Sequence, residues 1–216
     1  AFYYFNAYAQ MKRLGKGDNM VICVPSGNFG NITAGLFGKR MGLPVKRFIA
    51  ANDANDIFYN YLQSGKYEPK PSIQTLANAM DVGDPSNFAR IIDLYKGCHA
   101  DISAEISGAT YSDEQIAQTM RQCHATTGYV LDPHGACGYQ ALKDLLHDGE
   151  TGVFLETAHP AKFKEKVDSI LQADVQIPER LAEFMKETLR TDVRTIQRLQ
   201  RVPLEQINDN YRTQGN

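Results

Sequence analysis

The sequence has no excess of either charge: 23 lysines and arginines stand against 25 aspartates and glutamates, a formal net charge of −2. That balance leaves no global basic field to hold nucleic acid or a membrane surface, and neither is expected as a partner. No apolar run approaches the ~20 residues of a membrane-spanning helix. Cys23, Cys98, Cys123 and Cys137 include no closely spaced pair and sit in mostly apolar settings. Reduced thiols in a cytoplasmic protein fit this better than a disulfide framework, and no metal site is expected. There is no secretory signal pattern, no internal repeat and no low-complexity tract. The first residue is alanine rather than methionine, and the opening segment reads as mid-helix, which suggests a fragment of a longer protein. At 216 residues the chain can form one large domain or two small ones with a substantial core.

What is present is organised around residues 21–31, Val-Ile-Cys-Val-Pro-Ser-Gly-Asn-Phe-Gly-Asn. Val21–Val24 is a short apolar run, the pattern of a strand buried on both faces, and Pro25 closes it. Ile32, Leu36 and Met41 then return at roughly helical spacing, so the turn Ser26–Asn31 lies between a strand and a helix. The first N–H groups of a helix lack internal partners and the dipole is positive there, so the turn reads as a phosphate cradle. Glycine allows close approach of the ligand to the backbone. The other reading is a tight connection with no ligand. The turn lacks the glycine count of a dinucleotide fingerprint and the Lys-Ser/Thr of a Walker loop.

The hexapeptide Ser26-Gly27-Asn28-Phe29-Gly30-Asn31 resembles the phosphate-binding loop of the fold-type II pyridoxal-phosphate enzymes. With Thr33-Ala34-Gly35, Gly42–Asn52, Asn78–Val82 and Thr157–Phe163, the chain is similar to the threonine synthase family, over most of residues 1–170 and only the back half of such an enzyme. The resemblance implies an α/β fold: a parallel three-layer sheet of fold-type II, incomplete, with a helical insertion. Residues 1–171 would be part of the pyridoxal-phosphate-binding domain, with an irregular insertion at about 53–130, and 172–216 a C-terminal helical segment.

By the same resemblance the cofactor is pyridoxal 5'-phosphate, and the substrate is O-phospho-L-homoserine, converted with water to L-threonine and phosphate. Gly27, Asn28, Phe29, Gly30 and Asn31 would bind the cofactor phosphate, and the hydroxyl of Thr157 the pyridine nitrogen. Thr157 could instead only cap the following helix. Ser26, His159 and Lys162 are candidates for substrate contact; His159 could also cap the helix, and Lys162 could be a solvated head. The family's Schiff-base lysine belongs to a Ser-Phe-Lys-Asp type motif upstream of residue 1, and no lysine here has that setting. The chain alone is therefore expected to be inactive and to need the missing N-terminal part. Two other readings stay open: another fold-type II enzyme of serine/threonine dehydratase or cysteine synthase type, or a non-catalytic phosphate-binding module.

Elsewhere, Phe2, Phe5, Tyr8 and Ala9 suggest an amphipathic helix closed by Gly15. Strands are expected at Val21–Val24, Lys46–Ala51 and Gly152–Glu156. Short helices are expected at Asp56–Leu62 and from an Asp84 cap through Phe88, Ile91, Ile92 and Tyr95. Ser112-x-x-Gln115 is a capping-box pattern. Asp132-Pro133 opens a helix reaching Gly149, and Asp132-Pro133-His134-Gly135 resembles a block at the family's active-site mouth, or is a capped helix beside a surface histidine. Pro160 and Pro178 open the last helices. Arg190, Arg194, Arg198 and Arg201 share roughly one helical face, a solvated face or an anion patch.

Overall fold

The computed structural model describes residues 1–180, 182 and 183. The chain divides into two units, Ala1–Asp174 and the residues from Val175 on. The first unit opens with α1 (Phe2–Arg13), followed by β1 (Met20–Pro25), α2 (Gly30–Arg40) and β2 (Arg47–Asn52). Next come α3 (Ile57–Ser64), α4 (Phe88–Leu94), α5 (His99–Glu105) and β3 (Ile106–Thr110). α6 (Asp113–Thr127), α7 (Pro133–Leu145), β4 (Thr151–Phe154) and α8 (Lys164–Leu171) complete it.

The four strands form one parallel sheet in the order β3-β2-β1-β4. Val21 lies opposite Arg47 on one side and Gly152 on the other. β1 is central, and all but Pro25 of its residues are buried, as its unbroken apolar run requires. Alternate residues face opposite layers. Met20, Ile22, Val24, Phe48 and Ala50 join Tyr4, Ile32, Leu36, Phe58, Ile91 and Ile102 in the main core, beneath α1 to α5. α7 packs on β1, β2 and β4, with α6 against it. Three layers result.

The three expected strands are present within a residue or two of their expected bounds. β3 was not legible, because Ile-Ser-Gly-Ala-Thr has neither alternation nor an apolar run. It is an edge strand, only partly buried after Ile106, held by pairing with β2. The helix expected to start at Asp84 starts later, at Phe88, with Asn87 at its cap position. The Asp84 carboxylate instead accepts the Tyr67 hydroxyl proton at 2.7 Å. In α1 Tyr4 is fully buried, and Phe5 and Tyr8 of the expected stripe pack partly buried against the same core, while Phe2 is 90% exposed. The Ser112 capping box and the Asp132 cap form as expected. α7 ends at Leu145, short of Gly149, and Pro160 opens a short 3₁₀ turn that leads into α8. In the second unit the described residues begin a helix after Pro178, with the Ala182 N–H on the Pro178 carbonyl. Arg190, Arg194, Arg198, Arg201 and the tail from Pro203 lie outside the described residues.

Candidate functional site

β1 delivers the Ser26–Asn31 turn at its carboxyl end, and the strand order reverses there: β2 and β3 lie to one side of β1, β4 to the other. Open parallel sheets bind ligands at such a reversal, beyond the strand ends. The Ser26 N–H donates to Ala51, and Asn52 Nδ2 donates to the Ser26 carbonyl at 2.7 Å, so β2 clamps the start of the turn. Phe29 takes the left-handed conformation, φ 60°, ψ 10°, at the cap position of α2. A side chain that large rarely sits there, and the surroundings must hold it. Its ring packs on Phe58 at 4.5 Å, and its carbonyl accepts both the N–H and the hydroxyl of Thr33. Among the described residues, the N–H groups from Gly27 through Ile32 meet no protein acceptor. The helix they open carries the positive end of its dipole here.

The two glycines differ. A Cβ on Gly27 would stand 2.6 Å from Met80 Cα, so only glycine lets the backbone of residues 79–80 pack against the turn. Gly30 is exposed, and a Cβ there would meet nothing nearer than Asn87 Nδ2 at 3.4 Å. The positive φ of the turn falls on Phe29 and on neither glycine.

The second turn follows β4. The Leu155 N–H continues the ladder onto Cys23, and Glu156 and Thr157 then leave the sheet beside β1. Tyr3, Asn31, Phe154, Leu155, Glu156 and Thr157 line one cleft of about 370 Å³. The two turns therefore share a cleft, and Asn31 and Thr157 are on its wall. Among the described residues, no lysine lines it.

At the cleft wall is an acidic pair, the half-buried Glu156 and, behind it, the buried Asp132. Glu156 Oε1 accepts the Asp132 N–H at 3.1 Å, while Glu156 Oε2 and Asp132 Oδ2 are buried with no hydrogen-bond partner. Two carboxyl groups in one poorly solvated place do not both ionise readily, so the charge of one disfavours that of the other. Burial, with the Asp132 charge next, pushes Glu156 up to about 8. Burial would raise Asp132 too, but the hydrogen bonds and charge of His134 bring it below the usual range. Asp132 Oδ1 takes the N–H of His134 and Gly135 and the His134 Nδ1 proton at 2.7 Å. His134 Nε2 accepts the Ala79 N–H at 3.1 Å, so the ring's proton is on Nδ1. A second buried acid, Asp53, is raised by burial to about 6, offset in part by Asn55 and Thr75. It organises the 73–81 loop through Asn55, Thr75 and Asp81.

The remaining sequence candidates are placed unevenly. The Ser26 hydroxyl is buried and donates to Val24. Asn28 Oδ1 is taken by Ser86, and its carbonyl by Asn87. Asn31 holds the Tyr4 hydroxyl through both its carbonyl and Oδ1. His159 is exposed and caps the 3₁₀ turn, its Nδ1 accepting the Ala161 N–H. Thr157 is exposed and caps nothing. Lys162 is exposed, its ammonium 5.5 Å from the centre of the Phe163 ring. His134, in contrast, is buried and no surface histidine. Sequence reading missed Glu156, which has no flanking signal, and Tyr4, Ser86 and Asn87, which reach the cradle only through the fold. No group of His, Cys, Asp and Glu suited to a metal ion occurs among the described residues. No helix there is long and apolar enough to cross a membrane.

The model of the pyridoxal-phosphate dependent enzyme family matches residues 3–155, and that of the threonine synthase C-terminal family matches residues 135–203. Threonine synthase from Haemophilus influenzae is 47% identical over 88% of the chain, which spans 44% of that relative. The crystal structure of Escherichia coli threonine synthase superposes with a TM-score of 0.77 at 47% identity, over 84% of this chain and 42% of that one. A pyridoxal-phosphate-bound threonine synthase from Brucella melitensis gives 0.76 at 32% identity, over 85% and 44%. The chain thus spans less than half the length of the relatives it matches.

Proposed function

The chain belongs to the pyridoxal-phosphate-dependent enzyme family, and from that premise we propose that it carries the phosphate-anchoring and ring-contacting part of a threonine synthase site. The reaction proposed for the whole protein is the conversion of O-phospho-L-homoserine and water to L-threonine and phosphate. The observation supporting this is the row of N–H groups from Gly27 to Ile32 without a protein acceptor, at the end of β1 beside the Thr157 turn. We assign residues 1–171 to the cofactor domain and 172–216 to a separate C-terminal segment.

Pyridoxal 5'-phosphate, when bound, supplies the electron-withdrawing ring that makes elimination of the substrate phosphate possible. Gly27, Asn28, Phe29, Gly30 and Asn31 would hold its phosphate through their amides, in the positive field of α2. The Thr157 hydroxyl would bond the pyridine nitrogen. Being neutral, it does not keep that nitrogen protonated as a carboxylate would, which suits elimination and replacement. His159, whose Nδ1 is engaged in the cap, offers Nε2 to substrate. Lys162 offers a solvated cation for the substrate phosphate. Ser26 contributes by position, since its hydroxyl is committed to Val24. With no lysine among the described residues lining the cleft, the Schiff-base lysine is assigned to a part of the protein outside this chain, and the chain alone is inactive.

Titration of inorganic phosphate and then pyridoxal phosphate, followed by amide NMR, tests this reading. The Gly27–Asn31 signals are expected to move with both ligands, more tightly with the second. Shifts confined to other residues would end the cradle assignment. Borohydride reduction after cofactor incubation should label surface lysines sparsely. One stoichiometric adduct with turnover of phosphohomoserine would show the chain to be self-sufficient.

A further inference from the structure

We propose that His134 is a positioning residue: held by the Asp132–Glu156 carboxyl pair, it fixes the backbone of residues 79–80 against Gly27 and so sets the shape of the anion cradle from the side of the Thr157 turn. The path is continuous. Glu156, on the wall of the cleft, accepts the Asp132 N–H. Asp132 Oδ1 receives the His134 Nδ1 proton, and His134 Nε2 receives the Ala79 N–H. Ala79 and Met80 lie so close over Gly27 that a single methyl group there would overlap Met80 Cα. The Phe163 ring, 4.8 Å from the imidazole, closes the other side of His134. Each link has one polarity only. Backbone N–H groups occupy Glu156 Oε1 and His134 Nε2, so the imidazole must point its proton at Asp132.

This arrangement is more than packing. The single 3₁₀ turn Asn78–Met80 has no side-chain cap, and the Ala79 N–H has His134 as its acceptor. Without that acceptor, the N–H loses its partner and the turn its anchor toward α7. Movement of the turn is felt first at Gly27, whose N–H is the first of the open row. A histidine two residues after the Asp132 cap thus ties the start of α7 to the start of α2. These elements lie far apart in sequence, and both stand at carboxyl ends of the sheet.

The consequence for anion binding rests on the cradle reading, so the test carries one readout that needs no ligand. His134→Phe keeps a ring against Phe163 and removes the acceptor; His134→Gln places an amide oxygen near the Nε2 position and restores it. In the 216-residue chain without ligand, long-range 1H–15N spectra at neutral pH are expected to show the Nδ1-protonated tautomer. Hydrogen exchange of the Ala79 amide should rise about tenfold in His134→Phe and stay near wild type in His134→Gln. The Gly27–Gly30 amide shifts should move in the first variant alone. Unchanged exchange at Ala79, unchanged cradle shifts, or an Nε2-protonated ring would each overturn the proposal. If His134→Phe fails to fold, the tautomer and the His134→Gln rescue decide it: a Gln variant with rapid Ala79 exchange refutes it. With inorganic phosphate added, His134→Phe should bind about tenfold more weakly than wild type. Absence of phosphate binding in the wild type would sink the cradle reading while leaving the ligand-free readout to judge His134.

Discussion

At the scale of single residues, the least expected feature is Glu156, a carboxyl group at the cleft wall that burial and Asp132 raise to about 8. An exposed glutamate in an unfolded chain titrates near ~4.3. The folded state therefore holds a proton that the unfolded state releases, and stability falls as pH rises between those values. The Glu156 contribution is fully present below about pH 4 and is lost as pH passes through 8. Asp53, raised to about 6, slopes the same way but over a lower window. Between pH 6 and 8 the slope should belong mainly to Glu156, at up to ~1.4 kcal/mol per pH unit. Denaturant melts of wild type and Glu156→Gln across this range are the check. The wild type should lose stability relative to the variant as pH rises, and parallel curves would mean that Glu156 is ionised in the folded state.

Elements make a different kind of claim, because their ends are set by short-range chemistry. Ser112 caps α6 on the surface, its hydroxyl taking the Gln115 N–H while the Gln115 side chain returns to the Ser112 N–H. Ser112→Ala should cost about 1 kcal/mol in chemical denaturation and leave phosphate binding unchanged. Inside the fold, α2 meets α1 and β2 through Gly35, where an added Cβ would stand 2.5 Å from the Tyr4 ring and 2.8 Å from Phe48. Gly35→Ala forces those rings apart and should cost about 1–3 kcal/mol. It should also disturb the Tyr4 hydroxyl on Asn31, so its phosphate affinity falls together with its stability. A variant that loses stability while binding phosphate normally would separate α1 from the cradle.

Across the whole molecule, the ends of the sheet are tied by charge. Arg47 at the start of β2 makes a two-pronged contact with Glu150 before β4, through Nε at 3.0 Å and Nη2 at 2.6 Å, and also donates to Leu145. Arg47, foremost through these hydrogen bonds, holds the Glu150 carboxyl well below the usual range. A depressed carboxylate stabilises above its unfolded pKa and loses that contribution as pH falls through the folded value. The effect is opposite in sign to that of Glu156. Stability should therefore drop below about pH 4 in the wild type, and less steeply in Glu150→Gln, which begins from a lower plateau. Thermal melts from pH 2 to 7 measure it. Equal acid slopes would remove the clamp from the account of sheet closure.

What the sequence by itself determined is local. β1 is an unbroken apolar run, Asp132-Pro133 and Ser112-x-x-Gln115 are self-contained caps, and a turn between strand and helix leaves amides open whatever surrounds it. These features need only a few neighbouring residues, so their signals survive in one dimension. The tertiary structure alone decided which turn stands beside which. β4 pairs with β1 although some 125 residues of chain lie between them, and only that pairing sets Thr157 and Asn31 on one cleft. β3 follows the same logic, since its strand state comes from the partner beside it and from no pattern of its own. Glu156 is the sharpest case. A lone glutamate after a short strand reads as a solvated head, and burial against Asp132 makes it a protonated group. Desolvation and like charge depend on distances through space, and sequence spacing carries no record of them.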